Sequence, residues 1–192
     1  MSLIDRSSFL GTDRIVYLDA AATSLMPRSV FDAQAMYYSM SCANPHSETH
    51  LGSRSTTKAI EESRANLSRL FGADDRYAVL FCGNGSTACL NRASMVVRAN
   101  ARGRRRVVIS GMEHHSNLLP WLDRSGFEVV LVESKHDGSH DYAGMEAALA
   151  GAPSAALVAS AASNVTGAVG DLRLLGSLAR RYGAMSVVDA AQ

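Results

Sequence analysis

Short apolar runs alternate with longer amphipathic stretches along most of this chain. The runs are Tyr77–Cys82 (YAVLFC), Arg106–Ser110 (RVVIS), Glu128–Val132 (EVVLV), Ala155–Ser160 (AALVAS) and Met185–Asp189 (MSVVD). Each is bounded by polar or glycine residues and is apolar at nearly every position, the pattern of strands buried on both faces. Between them, the spacing of apolar residues predicts helices over Thr87–Asn100, Asn117–Ser125, Tyr142–Leu149 and Leu172–Tyr182. Strand–helix alternation with short links implies βαβ crossovers and a mostly parallel sheet, an α/β fold.

The pattern differs before residue 77. Ile15–Leu18 reads as a short strand and Ser29–Met40 as a helix. Ser53–Phe71 reads as an amphipathic helix, with Ile60, Leu67, Leu70 and Phe71 on its apolar stripe and Gly72 as its stop. Ser41–Gly52 (SCANPHSETHLG) is a polar loop holding two histidines, and loops held by rigid helices often carry function.

Composition narrows the classes. Of the 192 residues, 47% are hydrophobic and 19% charged, enough apolar material for a core. The net charge of +1 gives no general pull toward nucleic acid or anionic lipid. Arg102, Arg104, Arg105 and Arg106 cluster without interleaved aromatics, so they read as a solvated turn before a strand. Cys42, Cys82 and Cys89 form no CxxC and cannot all pair, which fits a reducing, cytoplasmic setting; Cys82 and Cys89 read as core cysteines. The first residues, MSLIDRSSFLGTDR, lack a signal-peptide apolar region, and no apolar run reaches the roughly 18 residues of a membrane span. Of the 19 basic residues only two are lysines, Lys58 and Lys135.

In parallel α/β sheets ligands gather at the carboxyl ends of the strands. After Tyr77–Cys82 comes Gly83-Asn84-Gly85-Ser86-Thr87 and a helix start, a seat for phosphate that reads equally as a plain helix N-cap. It is neither a P-loop nor a G-x-G-x-x-G fingerprint. After Arg106–Ser110 comes Met112-Glu113-His114-His115-Ser116-Asn117, where a histidine could face a cofactor, bind metal or serve the loop alone. Metal is disfavoured, because adjacent histidines rarely share one ion. After Ala155–Ser160 comes Asn164, an amide donor to a ligand or an Asx-turn residue. Asp189 ends a buried strand, where it needs either a cationic ligand group or a backbone cap.

The order and spacing of these segments resemble the class V aminotransferase family of pyridoxal-phosphate enzymes, and most closely its cysteine desulfurase and selenocysteine lyase branch. The segments are Tyr17–Ala22 (YLDAAA), Asn44–His50 (NPHSETH), Gly85–Asn91 (GSTACLN), Met112–Asn117 (MEHHSN), Ser163–Gly167 (SNVTG) and Asp189–Gln192 (DAAQ). The resemblance implies a three-layer large domain like that of aspartate aminotransferase, with residues 1–16 as an N-terminal segment and 17–192 as the first part of that domain. It implies pyridoxal 5'-phosphate as cofactor, its phosphate on Gly85, Ser86 and Thr87. His114 would lie over the ring and assist proton transfer, Asp189 would meet the ring nitrogen, and Asn164 and Gln192 would meet the ring hydroxyl. Ala21, Ala22, Asn44 and His46 would face the substrate.

By the same resemblance the whole protein would be a homodimer that turns L-cysteine, or selenocysteine, into alanine and passes the sulfur to a cysteine persulfide and then to an acceptor protein. Another aminotransferase, an epimerase, a kynureninase-like lyase or a non-catalytic cofactor-binding module are the alternatives. Ala88 stands where the family often has Glu. The family's Schiff-base lysine, reactive cysteine and carboxylate-binding arginine are expected beyond Gln192, and neither Lys58 nor Lys135 occupies the lysine's place.

Overall fold

A computed structural model describes residues 5–12, 15–47, 49–122 and 126–192. The chain forms two compact units, which divide between Leu80 and Phe81.

The first unit is helical. Helix α1 (Arg28–Met36) runs into a π-helical turn at Tyr37–Ser41, and α2 spans Leu51–Leu70. His50 opens α2: its Nδ1 accepts the N–H of Ser53 at 3.3 Å. At the other end Gly72 adopts φ +61, and the N–H of Ala73 returns to the carbonyl of Ser68 at 2.8 Å. That left-handed residue explains why the helix stops where glycine stands. Ile60 and Leu67 are half-buried, but Leu70 and Phe71 are about three-quarters exposed, so the expected stripe is only partly covered. Ile15–Leu18 forms no strand; Val16 and Leu18 are exposed. Apolar content gives a segment the capacity to pair, but a strand needs a neighbour that supplies the hydrogen-bond ladder.

The second unit holds the sheet. Helix α3 (Gly85–Asn100) precedes β1 (Arg106–Ser110), followed by short α4 (His115–Leu118), β2 (Glu128–Val132), α5 (Tyr142–Gly151), β3 (Ser154–Ser160), α6 (Leu172–Arg181) and β4 (Met185–Asp189). All pairings are parallel, in the order β2-β1-β3-β4. The four later sequence-predicted strands thus stand within a residue of their expected bounds.

Tyr77–Cys82 is not a strand of this sheet. The segment has no regular secondary structure, and Tyr77, Leu80 and Phe81 are more than half exposed. The predicted helix Asn117–Ser125 is also different: α4 passes into a 3-10 turn at Leu119–Trp121, and residues 123–125 lie outside the described residues. Pro120 lies within that turn, where it removes a backbone donor an α-helix would need.

Successive residues of the central strands point to opposite faces, so each face gains its own core. On one side Val107, Ile109, Ala156 and Val158 pack with Val97 of α3, with Ala101 that follows it and with Trp121. On the other, Val108 and Leu157 pack with Met145 and Leu149 of α5 and Leu175 and Leu178 of α6. Helix, sheet and helices make three layers. Full burial on both faces holds for β1 and β3; β2 and β4 are the edges, where Leu131 and Val188 are partly exposed.

Side chains in the links set the helix starts. Asp141 accepts the N–H of Gly144 at 3.1 Å, and Asp171 accepts that of Leu174 at 3.0 Å. These satisfy first-turn donors that would otherwise lack partners. Two of the clustered arginines bond backbone carbonyls: Arg104 those of Ala101 and Gly183, and Arg105 that of Gly126. Cys42 and Cys89 are exposed and Cys82 is half-buried, so the core reading of Cys89 does not hold. The buried residues of α3 are Leu90, Ser94 and Val97, and Cys89 is not among them.

Candidate functional site

The carboxyl ends of β1, β3 and β4 lie side by side because the three strands are parallel neighbours. Each end continues into a segment singled out by the sequence. Asp189 is opposite Ser160 in the register, and its carbonyl accepts the N–H of Ala161 at 2.7 Å.

Helix α3 begins at this edge. Gly83 and Gly85 have φ of +115 and +67, the left-handed region that favours glycine. Asn84, the N-cap residue, makes no side-chain cap bond, so no side chain closes the helix start. A Cβ on Gly85 would meet nothing within 4 Å. Gly85 and Thr87 are exposed and Ser86 is half-buried. Helix-start N–H groups, two hydroxyls and open space stand together here, the kind of donors that an anion takes at a helix start.

Thr87 is tied to the loop after β1. Its Oγ1 lies 3.0 Å from Ser116 Oγ, which lies 2.7 Å from His114 Nδ1. The N–H of Ser116 also donates to that Nδ1 at 3.1 Å. His114 is thereby the cap of α4, and its ring stands 5.9 Å from the His115 ring. His114 and Asn164 line one cavity of about 500 Å³, together with His115, Ser134, Ser163 and Thr166. The turn that carries Asn164 is made by its neighbour: Ser163 Oγ accepts the N–H groups of Val165 and Thr166, each at 3.2 Å. Asn164 is exposed and does not make the turn, contrary to its Asx-turn reading.

Asp189 is buried, and its Oδ1 accepts the N–H of Ala191 at 3.0 Å. The backbone cap is present, therefore. Gln192 is exposed three residues later.

Ala21, Ala22, Asn44 and His46 belong to the first unit. Ala21 and Ala22 are exposed in a turn where the N–H of Ala22 donates to the Asp19 carbonyl at 3.1 Å. Asn44 and His46 are exposed on the loop before α2. Hydroxyls of that helix hold the loop: Ser53 Oγ donates to the Asn44 carbonyl at 2.7 Å, and Thr57 Oγ1 accepts the His46 N–H at 2.8 Å. His46 has φ +66, a strained value for a residue with a side chain.

Beneath the His114 loop lies a buried polar network that sequence reasoning gave no role. Glu113 Oε1 accepts the Ser160 N–H at 2.6 Å and Oε2 accepts the Ser160 hydroxyl at 2.6 Å; Asn117 Nδ2 also donates to Oε2. Burial pushes the Glu113 carboxyl above its ordinary value, against the opposing pull of these hydrogen bonds. Buried His140 bridges two strand ends. Its Nε2 donates to the Ser160 carbonyl at 2.9 Å, and its Nδ1 accepts from Ser110 Oγ at 2.7 Å. Glu113 stood inside a quoted motif, and its place between a buried strand and a helix start was the available signal. His140 offered none, because a lone histidine in a polar stretch carries no pattern.

Among the described residues, no group of three or more His, Cys, Asp and Glu is arranged to hold a metal ion. Nor is any helix there long and apolar enough to cross a membrane.

The second unit is a parallel three-layer α/β fold, with an open helix start, a histidine that caps α4 and a buried carboxylate at the carboxyl ends of its strands. The Aminotransferase class-V family matches residues 16–192, and the chain belongs to that family, whose members depend on pyridoxal phosphate. It is 34% identical over 179 residues to a probable cysteine desulfurase of Pseudomonas putida, covering 92% of this chain and 44% of that protein. It is 34% identical over 185 residues to one of Pyrococcus abyssi, covering 94% and 45%. The apo structure of a cysteine desulfurase from Thermococcus onnurineus superimposes with a TM-score of 0.85 at 31% identity, over 97% of this chain and 46% of that one. The chain thus spans about half the length of the relatives it matches.

Proposed function

We propose that this chain carries the cofactor seat of a cysteine desulfurase, an enzyme that takes sulfur from L-cysteine and leaves L-alanine. The observation that carries the reading is the hydrogen-bonded line from Thr87 through Ser116 to His114, which ties an anion seat to a histidine on a cavity. The family match and the desulfurase relatives support it.

The residues fit pyridoxal phosphate. Gly85, Ser86 and Thr87 would take the phosphate with helix-start N–H groups and hydroxyls, in the space beside Gly85. His114 would lie against the ring and move a proton through its free nitrogen. Asp189, buried at the end of β4, would hold a proton on the pyridine nitrogen; Asn164 and Gln192 would donate to the ring hydroxyl. When bound, the cofactor supplies an electron sink for bond breaking at the substrate. Ala21, Ala22, Asn44 and His46 would form the substrate side. Residues 17–192 would be the first part of the large domain of a dimer, with an acceptor protein taking the sulfur.

The test is an assay of the full-length polypeptide with L-cysteine and pyridoxal phosphate. Alanine release in step with sulfur transfer is the expected result. Amino transfer, epimerisation or kynureninase-like cleavage without it would move the protein elsewhere in the family. The 192-residue chain should bind pyridoxal phosphate more tightly than pyridoxal. Borohydride should leave no stoichiometric adduct on Lys58 or Lys135.

A further inference from the structure

We infer that Ser116 is a positioning residue that decides which nitrogen of His114 carries the proton and ties that choice to the Thr87 hydroxyl. The functional meaning rests on the cofactor reading above; the geometry does not.

A ring nitrogen that accepts a backbone N–H carries no proton of its own, and its lone pair can be shared with a second nearby donor. The Ser116 N–H donates to His114 Nδ1, so Nδ1 of the neutral ring is unprotonated and the proton sits on Nε2. Ser116 Oγ, 2.7 Å from the same Nδ1, must then be a donor as well. Its one hydrogen is spent on the ring, which leaves its lone pairs to accept. Thr87 Oγ1, 3.0 Å away, is placed to supply that hydrogen. The polarity of the whole line therefore follows from one backbone N–H: Thr87 donates to Ser116, and Ser116 donates to His114. An alanine at 116 would keep the backbone donor but delete both hydroxyl links.

Two consequences follow for the cavity. His114 presents Nε2–H as its remaining donor. An anion that recruits the Thr87 hydroxyl takes the hydrogen now given to Ser116, so occupancy of the seat is felt at the imidazole. Hydrogen-bond lines of this kind reinforce one another when every member is satisfied.

Histidine 15N NMR on the 192-residue chain tests this without catalysis, the His114 signal being identified by its loss in His114→Gln. The expected spectrum has His114 in the Nε2–H form. Ser116→Ala, which keeps the backbone donor, should retain the Nε2–H form but move the His114 Nδ1 resonance, and Ser116→Thr should restore it. Thr87→Val should move the His114 Nδ1 resonance in the wild-type background and leave it unmoved in the Ser116→Ala background. An Nδ1–H wild-type ring, a spectrum unchanged by Ser116→Ala, or a Thr87→Val effect that persists without the Ser116 hydroxyl would each overturn the inference. Titration with inorganic phosphate is a separate arm. Absence of binding there would count against the cofactor seat while the tautomer result still decides the role of Ser116.

Discussion

Glu113 grips Ser160 with both carboxyl oxygens, one on the backbone N–H and one on the hydroxyl, each at 2.6 Å. The contact joins the loop after β1 to the last residue of β3, 47 positions away in sequence. His140 closes the arrangement from the other side through the Ser160 carbonyl. Three polar groups of one residue are thus fixed by half-buried Glu113 and buried His140, and the loops bearing His114 and Asn164 are anchored at the same point.

Glu113→Ala should cost about 2–4 kcal/mol, because the Ser160 N–H and the Asn117 amide would lose their partner inside the protein. Glu113→Gln should be milder, since a turned Asn117 amide can offer its Oδ1, which has no hydrogen-bond partner in the structure. Denaturant unfolding of both variants against wild type checks the order.

The same carboxyl makes stability depend on pH. Its pKa is raised in the folded state, chiefly by burial. Such a group favours folding below its unfolded value, about 4.3, and that contribution is lost as pH rises through the folded value. Wild type should therefore lose stability relative to Glu113→Gln across that window. A flat difference between the two proteins over pH 4–7 would contradict the assignment.

His140→Ala should cost roughly 2–4 kcal/mol by leaving a cavity and unpairing the Ser160 carbonyl. The space beside Gly170, whose Cβ would stand 3.0 Å from the imidazole, shows how closely the ring is packed. A thermal melt within a degree of wild type would show that the bridge contributes little.

Gly111→Ala should lower stability by about 1–3 kcal/mol. The added Cβ would stand 2.9 Å from the Ser134 N and 3.1 Å from the Val132 carbonyl, both backbone atoms at the end of β2. Neither can swing aside as a side chain would. The His114 signals should move in the same variant, since the loop starts at Gly111.

Asp189→Asn should weaken pyridoxal phosphate and leave inorganic phosphate unaffected. Removing one charge-assisted hydrogen bond costs about 1.5–3 kcal/mol, roughly ten- to a hundredfold in Kd. Equilibrium dialysis with both ligands separates ring recognition from phosphate recognition.

The sequence by itself determined the α/β class, the four sheet strands and the helices α3, α5 and α6. Each carries its own signal, continuous apolar runs for the strands and 3.6-residue spacing for the helices. It also determined the family, since short motifs keep their order whatever the packing. Tertiary structure decided everything that needs a neighbour. Tyr77–Cys82 and Ile15–Leu18 have strand composition, yet no strand forms at either, because pairing belongs to two segments and not to one. Cys89 and Phe71 are apolar enough for a core but lie on faces left open. The roles of Ser116, Glu113 and His140 likewise depend on partners 20 to 47 residues distant, or on which nitrogen a backbone N–H meets. Hydrogen bonds are satisfied across space, and spacing along the chain records only those that close locally.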